Sequence, residues 1–413
     1  MKLELHLLQN FAPSNLNRDD TGAPKDCELG GHRRARISSQ CQKRAIREAF
    51  RLNGLVPEEN LAARTKRIVG QIASVLVDVH GREAGLAEAV AGAAIEGVGL
   101  GRDKKDESTW KTQYLVFVPR RVIASVAALL DARWDELSKL VESVEDAHAD
   151  DQSEADDKPK KKPAKSKKQE KKAAQAAYPS DIGKALEELL SGARESVDLS
   201  LFGRMIADKT HWNVEASCQI AHAISTHKVQ MDFDFYTAVD DFKPEDNAGS
   251  DMMGTIQFNS SCYYRYAVLD VAALARNLDI DDAEARAALV RKSVNAFVRA
   301  FMTAVPTGKQ NTFAAHNFPS YALAIAREEG QPVSLANAFL KPARPHGEVD
   351  LVDDSIGKLE AYLGRLKEAV GKASSTSWLD RDPPPAGAFG VPRAEGLEAF
   401  YADTVRFATD GLA

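Results

Sequence analysis

The stretch GGHRRARISSQCQKRAIREAFR, residues 30–51, sets the reading of the whole chain. Its two glycines let a backbone come close to a ligand, and Arg33, Arg34 and Arg36 offer planar forks that match phosphate oxygens. Ser38 and Ser39 are helix-capping residue types. After them Cys41, Ala45, Ile46, Ala49 and Phe50 recur at helical spacing, and Gly54 is placed to stop the helix. The other face of this helix is basic, with Lys43 and Arg47 one turn apart and Arg44 beside them. A helix start presents free N–H donors, here those of Ser39 and Gln40, to an anion. A solvated basic helix face accounts for the cations alone; glycines, arginines and a helix start in succession are the parts of a phosphate cradle.

Charge along the chain agrees. The 413 residues hold 54 Lys and Arg against 60 Asp and Glu, a net −6. Residues 1–51 hold ten Lys and Arg against six acids, so they carry +4 and the other 362 residues carry −10. Such asymmetry points to a polyanion-binding patch inside an acidic protein. With 44% hydrophobic and 28% charged residues, fibrous and wholly disordered classes are excluded. The most apolar run, Leu86 to Leu100, is broken by Glu88 and Glu96 and falls short of the ~18 uncharged residues of a membrane span. Glu4 and His6 interrupt the first apolar segment, so no secretory signal is expected and the cytoplasm is the expected compartment. Cys27, Cys41, Cys218 and Cys262 form no C-x-x-C pair, so neither a disulfide framework nor a zinc site is expected.

Upstream of the cradle, Leu3, Leu5 and Leu7 alternate with Lys2, Glu4 and His6, the period of a strand with one buried face. Ala12 to Gly31 is rich in turn formers and reads as a long loop. From about Pro57 to Ser196 the pattern is mostly helical, as in Leu61 to Val77 and Val122 to Leu137, interrupted by a charged tether over 146–172 with almost nothing apolar to bury. Period 2 then returns in Ile220, His222, Ile224 and Thr226, in Phe233, Phe235, Thr237 and Val239, and in a run from Thr255 to Val268. The last two suggest a long hairpin whose tip carries Met252 and Met253. Asp281 to Val305 is helical again. The expected class is α+β, divided as 1–56, 57–197, 198–228, 229–261 and 262–413.

Other chemistry is sparse. Asp19 and Asp20 supply oxygen ligands that suit Mg2+ and phosphodiester cleavage, although paired acids in a polar loop more often make Asx-turns. Pro306 to Gln310 lacks the residues of a P-loop, which leaves Lys309 as a loop cation that can meet phosphate. His222, His227 and His316 have no zinc spacing, and Tyr263, Tyr264 and Tyr266 lack the consensus of a base-stacking RNA-recognition strand.

One family matches these motifs together. Residues 7–47, LLQNFAPSNLNRDDTGAPKDCELGGHRRARISSQCQKRAIR, resemble the backbone-subunit (CasC) family of type I-E CRISPR Cascade complexes, as do Gly203-Arg204-Met205, SCQIAHAISTHKVQMDFDFYTAVDD at 217–241, FNSSCYYRYA ending at Ala267, and GKQNTFAAHN from Gly308. The resemblance implies a hand-shaped subunit: a modified RNA-recognition (ferredoxin-like) palm, inserted helical fingers and a β-hairpin thumb. It implies a non-catalytic protein without metal or cofactor that assembles with copies of itself and with other Cascade subunits along CRISPR guide RNA, the guide pairing with target DNA. Arg18, Lys25, Gln40, Lys43 and Arg47 fall on the family's guide-backbone positions, and Arg33, Arg34, Ser39 and Lys309 join them from the residue reading. Met205 falls on the methionine at the kinked nucleotide and Met253 on an apolar thumb wedge, which can unstack bases. The tether is longer than the family pattern. A metal-dependent ribonuclease using Asp19 and Asp20, by analogy with type III backbone subunits, is the alternative.

Overall fold

The computed structural model describes residues 1–103, 109–142, 178–192, 195–238, 252–366, 373–380 and 391–412. The tether at 146–172 and the segment 239–251 lie outside the described residues. In chain order the strands and helices used below are β1 (Lys2–Ser14), β2 (Asp26–Leu29), β3 (His32–Ile37), α1 (Ser39–Leu52), β4 (Ala62–Thr65), α2 (Ile68–Asp78), α3 (Ala84–Gly97), β5 (Val116–Pro119), α4 (Arg120–Ala132), α5 (Ser180–Ser191) and α6 (Val197–Phe202). They continue with β6 (Cys218–Ile220), β7 (Ala223–Ser225), β8 (Asp232–Ala238), β9 (Met252–Asp270), α7 (Ala283–Thr303), β10 (Tyr321–Arg327), α8 (Leu351–Arg365), β11 (Ser374–Leu379) and α9 (Leu397–Thr409).

The chain forms two compact units, one of Met1–Val56, Ser217–Arg276 and Ile280–Ala413, the other of Pro57–Ala216 with Asn277–Asp279. The first is built on an antiparallel sheet in the order β11-β10-β1-β9-β7-β3-β2, with β6 and β8 also pairing to β9. Central β1 pairs with both β10 and β9, Leu5 lying between Ala324 and Ala267. Its alternation predicted one buried face, yet both faces are covered. Leu3, Leu5 and Leu7 share a face with Arg265, whose guanidinium stacks on Phe301 of α7 and donates to Gln42 of α1. Glu4 and His6 lie on the opposite face, fully buried as well. Glu4 tolerates burial because it is partnered: Arg327 donates to Oε1 at 2.6 Å, and the Tyr266 hydroxyl and the Val333 N–H donate to Oε2, whereas His6 Nδ1 meets the Tyr264 hydroxyl at 2.9 Å and its Nε2 has no hydrogen-bond partner among the described residues.

Two further expectations shift. The run 220–226 is broken into β6 and β7, both paired to β9. The loop expected over 12–31 is shorter and flanked by strand: β1 runs to Ser14, and β2 pairs with β3 across the turn Gly30-Gly31.

The second unit packs α2, α3, α4 and α5 around an apolar core that includes Ile72, Val90, Val126 and Leu186, with the small β4–β5 sheet beside them. Residues 198–216, placed with the palm strands from the sequence, fold here instead. The reason is Trp212, completely buried in the helical core, together with Arg204, which donates to the carbonyls of Phe117, Leu190 and Trp212.

Candidate nucleic-acid interface

Helix α1 forms as its pattern predicts. Ala45, Ile46, Ala49 and Phe50 are buried, the Ser38 hydroxyl caps the start by accepting from the Cys41 N–H, and Gly54 follows the end in a left-handed conformation. Ser38 takes the cap, so Ser39 is the first helical residue and Gln40 stands exposed next to it. Lys43 and Arg47 are half-buried one turn apart, while Arg44 is exposed and pairs with Glu48 at 2.9 Å.

Against α1 lies the loop that follows β1. Its shape is hydrogen-bonded: Asn17 Oδ1 accepts from the Ser38 N–H at 2.8 Å, and Asp19 Oδ1 accepts from the Thr21 hydroxyl and from the Thr21 and Ala23 N–H groups. Those bonds, the Thr21 hydroxyl first, hold the Asp19 carboxyl below its ordinary range. Gly308 packs so tightly on this loop that a Cβ there would stand 2.7 Å from the Asn15 carbonyl. The result is an open cleft of about 450 Å³ lined by Arg18, Asp19, Asp20, Cys41, Arg44 and Thr307, among others. Lys309 follows it in a left-handed conformation at the start of a short helical turn.

The structure thus gathers Arg18 and Arg44 at one cleft and sets Gln40, Lys43 and Arg47 on the helix that walls it. It treats the Gly-Gly-His-Arg-Arg segment differently. Gly30 and Gly31 have φ of +61° and +72°, the signature of a two-residue hairpin turn, and the close approach at Gly30 is to Leu340 rather than to open space. Arg33 points outward and pairs with Asp26. Arg34 is 0% exposed; its guanidinium donates to the carbonyls of Ser225, Thr226 and Phe339 at 3.2, 2.8 and 2.6 Å. A phosphate cannot reach it, so Arg34 is an internal strut and leaves the set of phosphate contacts.

Both methionines are presented to solvent. Met205, 88% exposed, follows Gly203, whose φ of +74° and close packing on the Val214 carbonyl turn the chain, and Arg204, whose buried guanidinium ties the turn down. Burial lowers the Arg204 pKa to about 10. Met205 borders a second cleft of about 490 Å³ with Arg64, Leu115, Phe117 and Ile206. Met253 lies on β9 opposite Thr237, on the last described rungs of the hairpin. The register places it on one face with Phe235 and Phe233, and these three are 67%, 63% and 63% exposed. Phe233 and Phe235 were visible in the sequence as alternation, but nothing there marked their face as uncovered. Arg44 was visible as part of the basic face, and its place in the cleft wall depends on the 306–308 loop.

Residues 3–390 match the model of the CT1975-like protein family. The chain belongs to that family. This CT1975-like protein is similar in structure to a chain of a "CRISPR RNA-guided surveillance complex, pre-nicking", with 30% identity, a TM-score of 0.75, and 99% of this chain and 100% of that one covered. A chain of another "CRISPR RNA-guided surveillance complex" follows at 26% identity and a TM-score of 0.68, with 98% and 99% covered. No protein of curated function matches the chain. Among the described residues of this CT1975-like protein no helix is long and apolar enough to cross a membrane, and no group of three or more His, Cys, Asp or Glu is placed to hold a metal ion.

Proposed function

We propose that the chain is the repeating, non-catalytic backbone subunit of a Cascade-type complex of the type I-E kind, binding CRISPR guide RNA. The sheet unit then corresponds to a modified RNA-recognition palm, Pro57–Ala216 to inserted helical fingers and the β8–β9 hairpin to the thumb of a hand-shaped subunit. The observation that carries this reading is α1 with its cleft: Arg18, Lys43, Arg44 and Arg47 from two segments, on elements held by capping and loop hydrogen bonds. Cations on fixed backbone grip phosphates without reading bases. Met205 and the Met253–Phe235 face act as wedges, the latter toward the next copy along the guide, while target DNA is read by the guide itself. The protein works in the cytoplasm.

Gel shifts of the purified protein with guide-length RNA across a salt series test this. Ladder-like shifts are expected, with log affinity falling against log salt by about 0.7 per neutralised phosphate, so that Lys43→Ala with Arg47→Ala lowers the slope by about 1.4. An unchanged slope and unchanged ladder in that double variant would overturn the assignment. RNA shortened in the presence of Mg2+ or Mn2+, and left intact by Asp19→Ala with Asp20→Ala, would replace the scaffold with the ribonuclease.

A further inference from the structure

Lys25 and Arg36 stand where a sheet normally avoids placing them. The β2–β3 register ends with Asp26 opposite Ala35, and just beyond that last pair the Arg36 N–H donates to the Lys25 carbonyl at 2.9 Å. The two cations therefore sit side by side at the end of the β2–β3 pairing, where like charges repel unless something compensates them. On its other side β3 meets β7, Arg36 lying opposite Ile224, and His222 is exposed just before β7. The Arg36 side chain is fixed from both sides: Nε donates to the Asp26 carbonyl at 3.0 Å and a terminal nitrogen to His222 Nδ1 at 3.2 Å. Because arginine can only donate, His222 Nδ1 is the acceptor and Nε2 carries the hydrogen. Among the described residues no carboxylate pairs with any of the three, and the Asp26 carboxylate is engaged by Arg33.

We propose that Lys25, Arg36 and His222 form a phosphate subsite that holds a phosphodiester group of the RNA strand, with Lys25 and Arg36 supplying charge and the His222 Nε2–H supplying one directed hydrogen bond. It rests on the RNA-binding reading above and adds two residues, Arg36 and His222, to it. An anion between the cations offsets their mutual repulsion. Partial desolvation by its neighbours, then the charges of Arg36 and Lys25, keep the imidazole below its ordinary range, so a neutral donor is available at neutral pH.

Charge and direction separate in a salt series. Fluorescence anisotropy of labelled guide-length RNA at several salt concentrations is expected to show that Lys25→Gln and Arg36→Gln each lower the salt slope by about 0.7. His222→Phe is expected to weaken binding about tenfold at every salt concentration with the slope unchanged, as the loss of one hydrogen bond to a charged group requires. His222→Gln, whose amide can accept from Arg36 and still donate outward, should restore most of that loss, and a role confined to holding Arg36 would instead appear in His222→Phe as a reduced salt slope. Thermal melts accompany each variant, and Lys25→Gln should melt no lower than the wild type. Wild-type affinity in His222→Phe, or an unchanged slope in Arg36→Gln, overturns the subsite. If those variants are silent while Lys43→Ala with Arg47→Ala still weakens binding, only the subsite falls; if wild-type protein does not bind RNA, both readings fall.

Discussion

Replacing Arg34 by methionine separates an internal strut from a phosphate contact. The Arg34 guanidinium ties β3 to the carbonyls of Ser225 and Thr226 and to that of Phe339, with no exposed surface. Methionine keeps the apolar stem and leaves those carbonyls without their donor. A buried polar group deprived of its partner costs roughly 1–3 kcal/mol, less where a second lone pair is already engaged, and removing the desolvated cation returns part of the loss. The expected net loss is about 3–5 kcal/mol, which for a unit of this size lowers the melting temperature by roughly 8–15 °C. Arg33→Gln is the control, because an exposed ion pair is worth at most about 1 kcal/mol and its melt should barely move. Circular dichroism melts give the first quantity, and anisotropy below the variant's melting point gives RNA affinity per folded molecule. If Arg34→Met melts like the wild type but loses about 0.7 in salt slope, Arg34 reaches phosphate and the strut argument is refuted.

The two glycines of the β2–β3 turn should differ. A Cβ at Gly30 would stand 2.6 Å from the Leu340 carbonyl, whereas one at Gly31 meets nothing within 4 Å. Gly31→Ala should therefore cost about 1–2 kcal/mol, the left-handed penalty alone, and Gly30→Ala distinctly more in denaturant titration; equal costs with a shared loss of RNA affinity would restore the ligand-approach reading. His6 gives a pH dependence. Burial, then the charge of Arg327, lowers its pKa to about 3, below the unfolded imidazole value. Stability from keeping it neutral is then fully present above about pH 6.5 and is lost as pH falls towards 3, by up to about 1.4 kcal/mol per pH unit. Denaturation midpoints at neutral and mildly acidic pH should fall less for His6→Gln than for the wild type, and parallel falls would count against the assignment.

The basic helix and the β8–β9 hairpin were legible because each is a local pattern: apolar residues at i, i+4 and i+5 in α1, alternation in Phe233 and Phe235. Arg34 was not. It is chemically identical to Arg33 and its neighbour in sequence, and only the strand period sends one outward and the other inward. The turn-rich composition before it hid that β3 is a strand. The same limit applies to Glu4, whose alternation with leucines predicts a solvated face, while its partner Arg327 is 323 residues away. Residues 198–216 carry no compositional boundary, and their membership in the helical unit follows from Trp212 finding its core there.

Asp19 shows that residue type alone does not assign a role at this site. Two adjacent acids in a polar loop suggest a metal, yet Asp19 Oδ1 already accepts three hydrogen bonds from its own loop. With Asn15 donating to the Gly22 and Gln257 carbonyls and Asn17 accepting from the Ser38 N–H, these contacts fix a chain segment that has little apolar surface of its own. The cations ride on that frame: Arg18 bridges to Pro24 within it, and the Lys25 N–H donates to the Asn17 carbonyl at its end. The proposed role, holding a phosphate backbone whatever its bases, gains nothing from contacts that adapt to sequence. It needs cations at fixed spacing, and in this chain the acids and amides of the loop supply that spacing.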